Sequence, residues 1–215
     1  ISLNNIRHEE PDTKIIDELL DDKKLIESFN KVISHGVASY GKVVDHKEEF
    51  SREFIVCLLR TRYLFDKYII KREYANDNAD GEWSLKDLHV SGQQSKKKAY
   101  YRNTRFTRSG ECDKTNDSGT KTNIMLQSAL RVSYTSPKVM HWITELLTWL
   151  SENDCDDIAE YNRTIENIAK RAVKENFFNV CHDGIYAMGV NTPHIVFNYL
   201  DFLLWNNDRK KHDNF

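Results

Sequence analysis

Between residues 123 and 150 the apolar positions recur at the spacing of two successive helices. Ile124, Met125, Leu126, Ala129, Leu130 and Val132 give the first its apolar face, and Tyr134-Thr135-Ser136-Pro137 interrupts it. Ser136 suits an N-cap, because its hydroxyl can accept from an unpaired amide one turn on. Pro137 suits the first helical position, where no backbone donor is needed. Val139, Ile143, Leu146, Leu147 and Leu150 then follow at offsets 0, 4, 7, 8 and 11, the stripe of a core-facing helix. Met140, Trp142 and Trp149 widen that stripe, so this helix is expected to be buried on more than one side.

The rest of the chain is organised in the same period. A polar lead-in over residues 1–11 precedes a short helix, capped at Asp12 or Thr13, with Ile15, Ile16, Leu19 and Leu20. A second helix over residues 21–33 carries Leu25, Ile26, Phe29, Val32 and Ile33, and Ser34-His35-Gly36 reads as its stop. From about residue 47 to 73, Phe50, Phe54, Cys57, Leu58, Thr61, Leu64, Phe65, Tyr68 and Ile69 keep a helical period without Gly or Pro. That rod would span roughly 40 Å. Residues 76–122 break the regime with turn residues, though Trp83, Leu85, Leu88 and Val90 could anchor a small piece. A structureless insertion of this length suggests contact with a partner. An acidic hinge at residues 151–157 can cap the next helix, which Ile158, Tyr161, Ile165, Ile168, Ala169, Val173 and Phe177 mark. After a turn-rich connection, Thr192-Pro193 repeats the cap-plus-proline device ahead of a final helix from His194 to about Asn206. The expected fold is all-α: an irregular multi-helix bundle with a long basic insertion between helices. Residues 1–46 would hold short N-terminal helices, and residues 47–215 one shared core interrupted at 76–122.

Composition narrows the classes. The 215 residues are 40% apolar and 30% charged, with a net charge of −2, and mean hydropathy is −0.65. No apolar run approaches the ~18 residues of a membrane span. Cys57, Cys112, Cys155 and Cys181 have no paired spacing, which fits a reducing cytoplasmic compartment without membrane contact. The first residue is isoleucine, as in a chain cut from something longer.

Candidate chemistry is sparse. Lys96, Lys97, Lys98, Arg102, Arg105 and Arg108 interleave with Tyr100, Tyr101 and Phe106, and residues 93–110 contain no Asp or Glu. Cations can neutralise phosphates while tyrosine faces stack on unpaired bases. The candidate nucleic-acid-binding set is therefore Lys96, Lys97, Lys98, Tyr100, Tyr101, Arg102, Arg105 and Arg108, with a solvated basic loop as the alternative. Cys181-His182-Asp183 has no partner motif for a zinc site. Glu152, Asp154, Asp156, Asp157 and Glu160 depart from a calcium-loop spacing and better serve as a hinge facing a helix N-terminus. Arg60, Arg62 and Arg131 lie beside apolar stripes, where they could pair acids across the bundle. No Walker loop, dinucleotide fingerprint, zincin or serine-hydrolase motif occurs, so the expectation is no catalytic and no metal-ligating residue.

Five strings carry a family resemblance: FIVCLLRTRYLFDKYIIKREY (54–74), WSLKDLHV (83–90), KKAYYRNT (97–104), MLQSALRVSYTSPKVMHWITELLTWL (125–150) and GVNTPHIVFNYLDFLLW (189–205). Over residues 50–215 the chain resembles the helical part of DUF262-type proteins, which are similar to GmrSD-like, modification-dependent restriction endonucleases of phage defence. The resemblance implies a flanking nucleotide-binding domain of ParB/sulfiredoxin-like fold with a DGQQR-type motif. It also implies a DUF1524 domain like the His-Asn-His metal-dependent nucleases. Neither motif carries onto this chain. Ser91-Gly92-Gln93-Gln94-Ser95 keeps only Gly-Gln-Gln, and His212 lacks the nuclease context. The implied function is a non-catalytic helical module of a larger DNA endonuclease, with no cofactor of its own and with nucleotide and divalent metal held in flanking domains. Its expected partners are those domains of the same polypeptide, DNA, and a second copy of the chain. The alternative is a free-standing helical adaptor that binds a protein partner.

Overall fold

The computed structural model describes residues 22–38, 46–73, 81–92, 97–104, 106, 116–153, 157–180 and 188–212. The lead-in and short helix expected over residues 1–20 lie outside these. The chain divides into two compact units, Ile1–Tyr63 and Leu64–Phe215.

In the first unit a 3-10 turn, Asp22–Lys24, leads into α1, Leu25–Ala38, and α2 begins at His46 and runs to Tyr68. Phe29 of α1 lies edge-on to Phe54, with centroids 5.0 Å apart, and to Phe50 at 6.2 Å. Helix α1 continues through Gly36, where the residue pattern reads as a stop. An internal glycine costs a helix only about 1 kcal/mol and does not end it unless the chain turns there.

In the second unit, α2 stops at Tyr68 and does not reach residue 73, because side chains from elsewhere take its last carbonyls. The Thr104 hydroxyl donates to Lys67 O at 2.7 Å. The Gln127 amide and the Tyr161 hydroxyl both donate to Tyr68 O at 2.8 Å. Ile69 and Ile70 are buried, and the chain becomes extended as β1, Lys71–Glu73.

The all-α expectation is overturned in this region. Of the described residues 74% are helical, but β1 pairs antiparallel with β2, Glu82–Ser84, and β3, Lys86–Ser91, pairs antiparallel with β4, Lys98–Asn103. These strands are three to six residues long. Period-two alternation is too brief in them to stand out from the surrounding Gly, Ser and Asn. Of the four anchors expected there, Leu85 is buried and Trp83 partly buried, whereas Leu88 and Val90 are exposed.

The remaining elements are α3, Asn116–Ser133; a 3-10 turn, Pro137–Val139; α4, His141–Glu152; α5, Ile158–Val173, continued by a π turn at Lys174–Phe178; a 3-10 turn, Gly189–Asn191; and α6, His194–His212. Ser136 and Pro137 do start a helical turn, but it is the 3-10 turn; the Ser136 hydroxyl makes no capping bond and α4 begins four residues after the proline. Val139 is consequently exposed, and the α4 core stripe is Trp142, Leu146 and Leu150. Asp157 caps α5 as the acidic hinge suggests, its carboxylate accepting from Ala159 N at 2.8 Å. Leu126, Leu130, Leu146, Ile165, Ile195 and Phe202 centre the core, joined by Leu64, Tyr68, Ile69, Leu85 and Phe106. Each fully buried aliphatic side chain contributes about 1.5–3 kcal/mol. Helices α3 and α6 run antiparallel: Ser133 meets Asn198 at one end, and Ser118 and Thr122 meet Arg209 at the other.

Candidate nucleic-acid interface

The β3–β4 ribbon is built from a buried base outward. At the base, Leu85 is buried, its carbonyl accepts from Thr104 N at 3.0 Å, and the Thr104 hydroxyl reaches Lys67 O. Phe106, one step further, packs between Tyr68 and Tyr161 with centroids 5.9 Å from each. Two aromatic contacts and two hydrogen bonds thus fix the point where β4 leaves the core.

Outward from there, register distributes the side chains over two faces. Asp87 with Arg102, His89 with Tyr100 and Ser91 with Lys98 share one face; Lys86 with Asn103, Leu88 with Tyr101 and Val90 with Ala99 share the other. His89 and Tyr100 meet edge to face at 5.3 Å. Arg102 lies against Asp87, Nε to Oδ1 at 3.1 Å, so its charge is neutralised at the foot of the ribbon. Lys86 is likewise ion-paired with Glu73. Beyond Asp87 the sequence holds no carboxylate until Glu111. Lys97, Lys98, Tyr100 and Tyr101 are all exposed, Tyr101 at 64%. At the turn, Gly92 adopts φ 117°, a conformation that L side chains rarely take.

The structure therefore brings Lys98, Tyr100, Tyr101 and Arg102 onto β4, with Lys97 immediately ahead of it. It turns Tyr100 and Tyr101 to opposite faces and commits Arg102 to Asp87. Lys96, Arg105 and Arg108 lie outside the described residues. Ammonium groups beside exposed rings, with no acid near them in sequence, can hold phosphates and stack a base on either face.

Periodicity and motif spacing give no hint of the buried polar network that holds the ribbon's foundation. Gln127 and Asn123 are fully buried on α3. Gln127 Nε2 donates to Tyr68 O at 2.8 Å and to Asn123 Oδ1 at 2.7 Å, while its Oε1 accepts from Ile70 N at 3.0 Å. Asn123 Nδ2 donates to Asn162 Oδ1 at 2.8 Å, and Asn162 donates to Gly119 O at 2.9 Å. The signal that could have found it is two amides one turn apart within an apolar face. Buried amides must be bonded, so they mark a place where backbone from elsewhere arrives.

Other charged groups serve packing. Arg131 donates to Tyr134 O and Thr135 O past the end of α3, in place of an acid across the bundle. Arg171 is held above its ordinary range chiefly by its hydrogen bond to Glu145. Burial first, and Glu175 second, push the Tyr134 hydroxyl up. Among the described residues no three His, Cys, Asp or Glu side chains converge on a position that could hold a metal ion. Cys181-His182-Asp183 and residues 154–156 lie outside them. No helix among the described residues is long and apolar enough to cross a membrane.

Comparison with protein families, with curated proteins and with solved structures finds no match to this chain.

Proposed function

We propose that this chain is a non-catalytic helical module that contacts DNA through the β3–β4 ribbon. Within a longer DUF262-type polypeptide of the GmrSD-like kind, in the cytoplasm, it would hold a nucleotide-binding domain and a metal-dependent nuclease domain in register. The observation that carries the DNA contact is the exposed set Lys97, Lys98, Tyr100 and Tyr101 on a ribbon whose base is fixed and whose outer part lacks carboxylates. The five strings in residues 54–205 support the family part.

The test is binding of single- and double-stranded DNA by the 215-residue chain across a salt series, beside a variant with Lys97 and Lys98 changed to Ser. Each lost phosphate contact should reduce the slope of log K against log[salt] by about 0.7–0.9. Tyr100→Ala and Tyr101→Ala should weaken single-stranded binding by about 1–3 kcal/mol for each stacked base. Binding that none of these changes alters, or no binding at all, would remove the proposal.

A free-standing adaptor is the second reading, favoured by the exposed apolar side chains of α2. Capture of a helical peptide without any DNA affinity would select it.

A further inference from the structure

The β3–β4 ribbon is open on both faces. An antiparallel sheet commonly lays one face on the core and leaves the other to water. Here the middle of each face is exposed: Tyr100 at 48%, beside His89, on one side, and Leu88 at 55% with Tyr101 at 64% on the other. Both strands are six residues long, a length of roughly 17–20 Å. Tyr100 and Tyr101 are neighbours on β4, so their side chains leave the ribbon at one height and in opposite directions.

A single DNA strand running along one face meets one of these rings. Two rings at the same height, on opposite sides, suit two strands that part at the ribbon. We infer that the ribbon takes a junction between paired and unpaired DNA, with one separated strand against Tyr100 and the other against Tyr101. This rests on the DNA contact proposed above and adds the form of DNA that makes it.

The chemistry of the ribbon favours such a junction over intact duplex. Paired, stacked bases offer their edges to the grooves, whereas a tyrosine ring stacks on the face of a base that has left its neighbour. Charge is ordered along the ribbon in the same sense. At the foot, Asp87 and Glu73 neutralise Arg102 and Lys86. Lys97 and Lys98 lie at the outer end, and the sequence holds no carboxylate between Asp87 and Glu111. Phosphates are therefore drawn to the outer half, where the rings stand. The foot is also stiff: Thr104 N donates to Leu85 O at 3.0 Å and the Thr104 hydroxyl donates to Lys67 O at 2.7 Å. Little ordering is left to be done on binding. Unstacking a base step costs about as much as stacking on a tyrosine returns. The ribbon accordingly holds a junction that already exists and does not open an intact duplex.

Fluorescence anisotropy of the 215-residue chain tests this with three labelled DNAs of one sequence: a single strand, a full duplex, and a duplex with two unpaired arms. The forked DNA should bind tightest, by about tenfold or more over either other form. A fluorescent adenine analogue at the first unpaired position of either arm reports stacking on a ring as lost emission. Tyr100→Ala should restore emission on one arm and Tyr101→Ala on the other, each lowering fork affinity about tenfold. Tyr100→Phe and Tyr101→Phe keep the rings and should change neither reading. Equal affinity for the three DNAs, still dependent on Lys97 and Lys98, would overturn the junction and leave the DNA contact standing. So would both alanine variants acting on the same arm, or neither acting on any. Binding to none of the three would remove the DNA contact as well.

Discussion

The side chain of Gln127 holds the backbone at Tyr68 and Ile70 from both ends of its amide, Nε2 to Tyr68 O at 2.8 Å and Oε1 to Ile70 N at 3.0 Å. One residue on α3 therefore decides where α2 ends and where the chain turns toward β1. The bonds are buried, so water cannot replace them. Gln127→Leu should leave Tyr68 O with one donor fewer and Ile70 N with none. Each orphaned buried group costs about 1–3 kcal/mol, so urea denaturation should show a loss of about 2–4 kcal/mol. A loss below about 1 kcal/mol would mean that the backbone re-pairs without it.

Gly119 sets how closely α3 approaches α5. A Cβ there would lie 2.9 Å from Ile158 Cγ2, a methyl on a stiff β-branched carbon. Alanine favours a helix over glycine by about 1 kcal/mol, yet overpacking costs about 1–3 kcal/mol. Gly119→Ala should therefore be neutral to destabilising by up to about 2 kcal/mol, and stabilising once Ile158 is also Ala. A double-mutant cycle by chemical denaturation measures this, and zero coupling would place the helices further apart than observed.

Tyr199 ties α6 to α5 through its hydroxyl, which donates to Glu166 Oε1 at 3.2 Å. Burial first, then the Glu166 charge and hydrogen bond, hold its pKa well above the ordinary value of 10.0. The folded state thus keeps a proton that the unfolded chain releases. Its contribution is complete below about pH 10 and declines as pH rises from there toward the folded pKa. Between about pH 9 and 11.5, native stability should fall more steeply than for Tyr199→Phe, which has no proton to lose there. Parallel curves for the two proteins would contradict the raised pKa.

Asp87 withholds Arg102 from any ligand of the ribbon. If the ribbon binds DNA, Asp87→Asn should release one cation, tighten binding and steepen the salt slope by about 0.7–0.9. Unchanged affinity with an unchanged slope would place the phosphates away from β4.

Helix positions are written plainly in the sequence wherever a segment is long enough for its period to repeat. The apolar face of α3 and the capped start of α5 at Asp157 are examples, because they are set by near neighbours; the cap expected at Ser136 is not made, and the α-helix there starts only at His141. The places that sequence leaves unread depend on contacts between distant residues. The stop of α2 at Tyr68 depends on Thr104, Gln127 and Tyr161. The ribbon's strands are too short to alternate visibly and gain their register from each other.

The candidate interface divides the same way. Sequence alone determined that Lys97, Lys98, Tyr100 and Tyr101 sit in a stretch without acids, since composition is local. Only the tertiary structure decided that the two tyrosines face opposite ways and that Arg102 is spent on Asp87. Side-chain direction in a strand and ion pairing across a ladder arise only when a second strand is present. That second strand reaches its place only because the core beneath Leu85 and Thr104 holds it there.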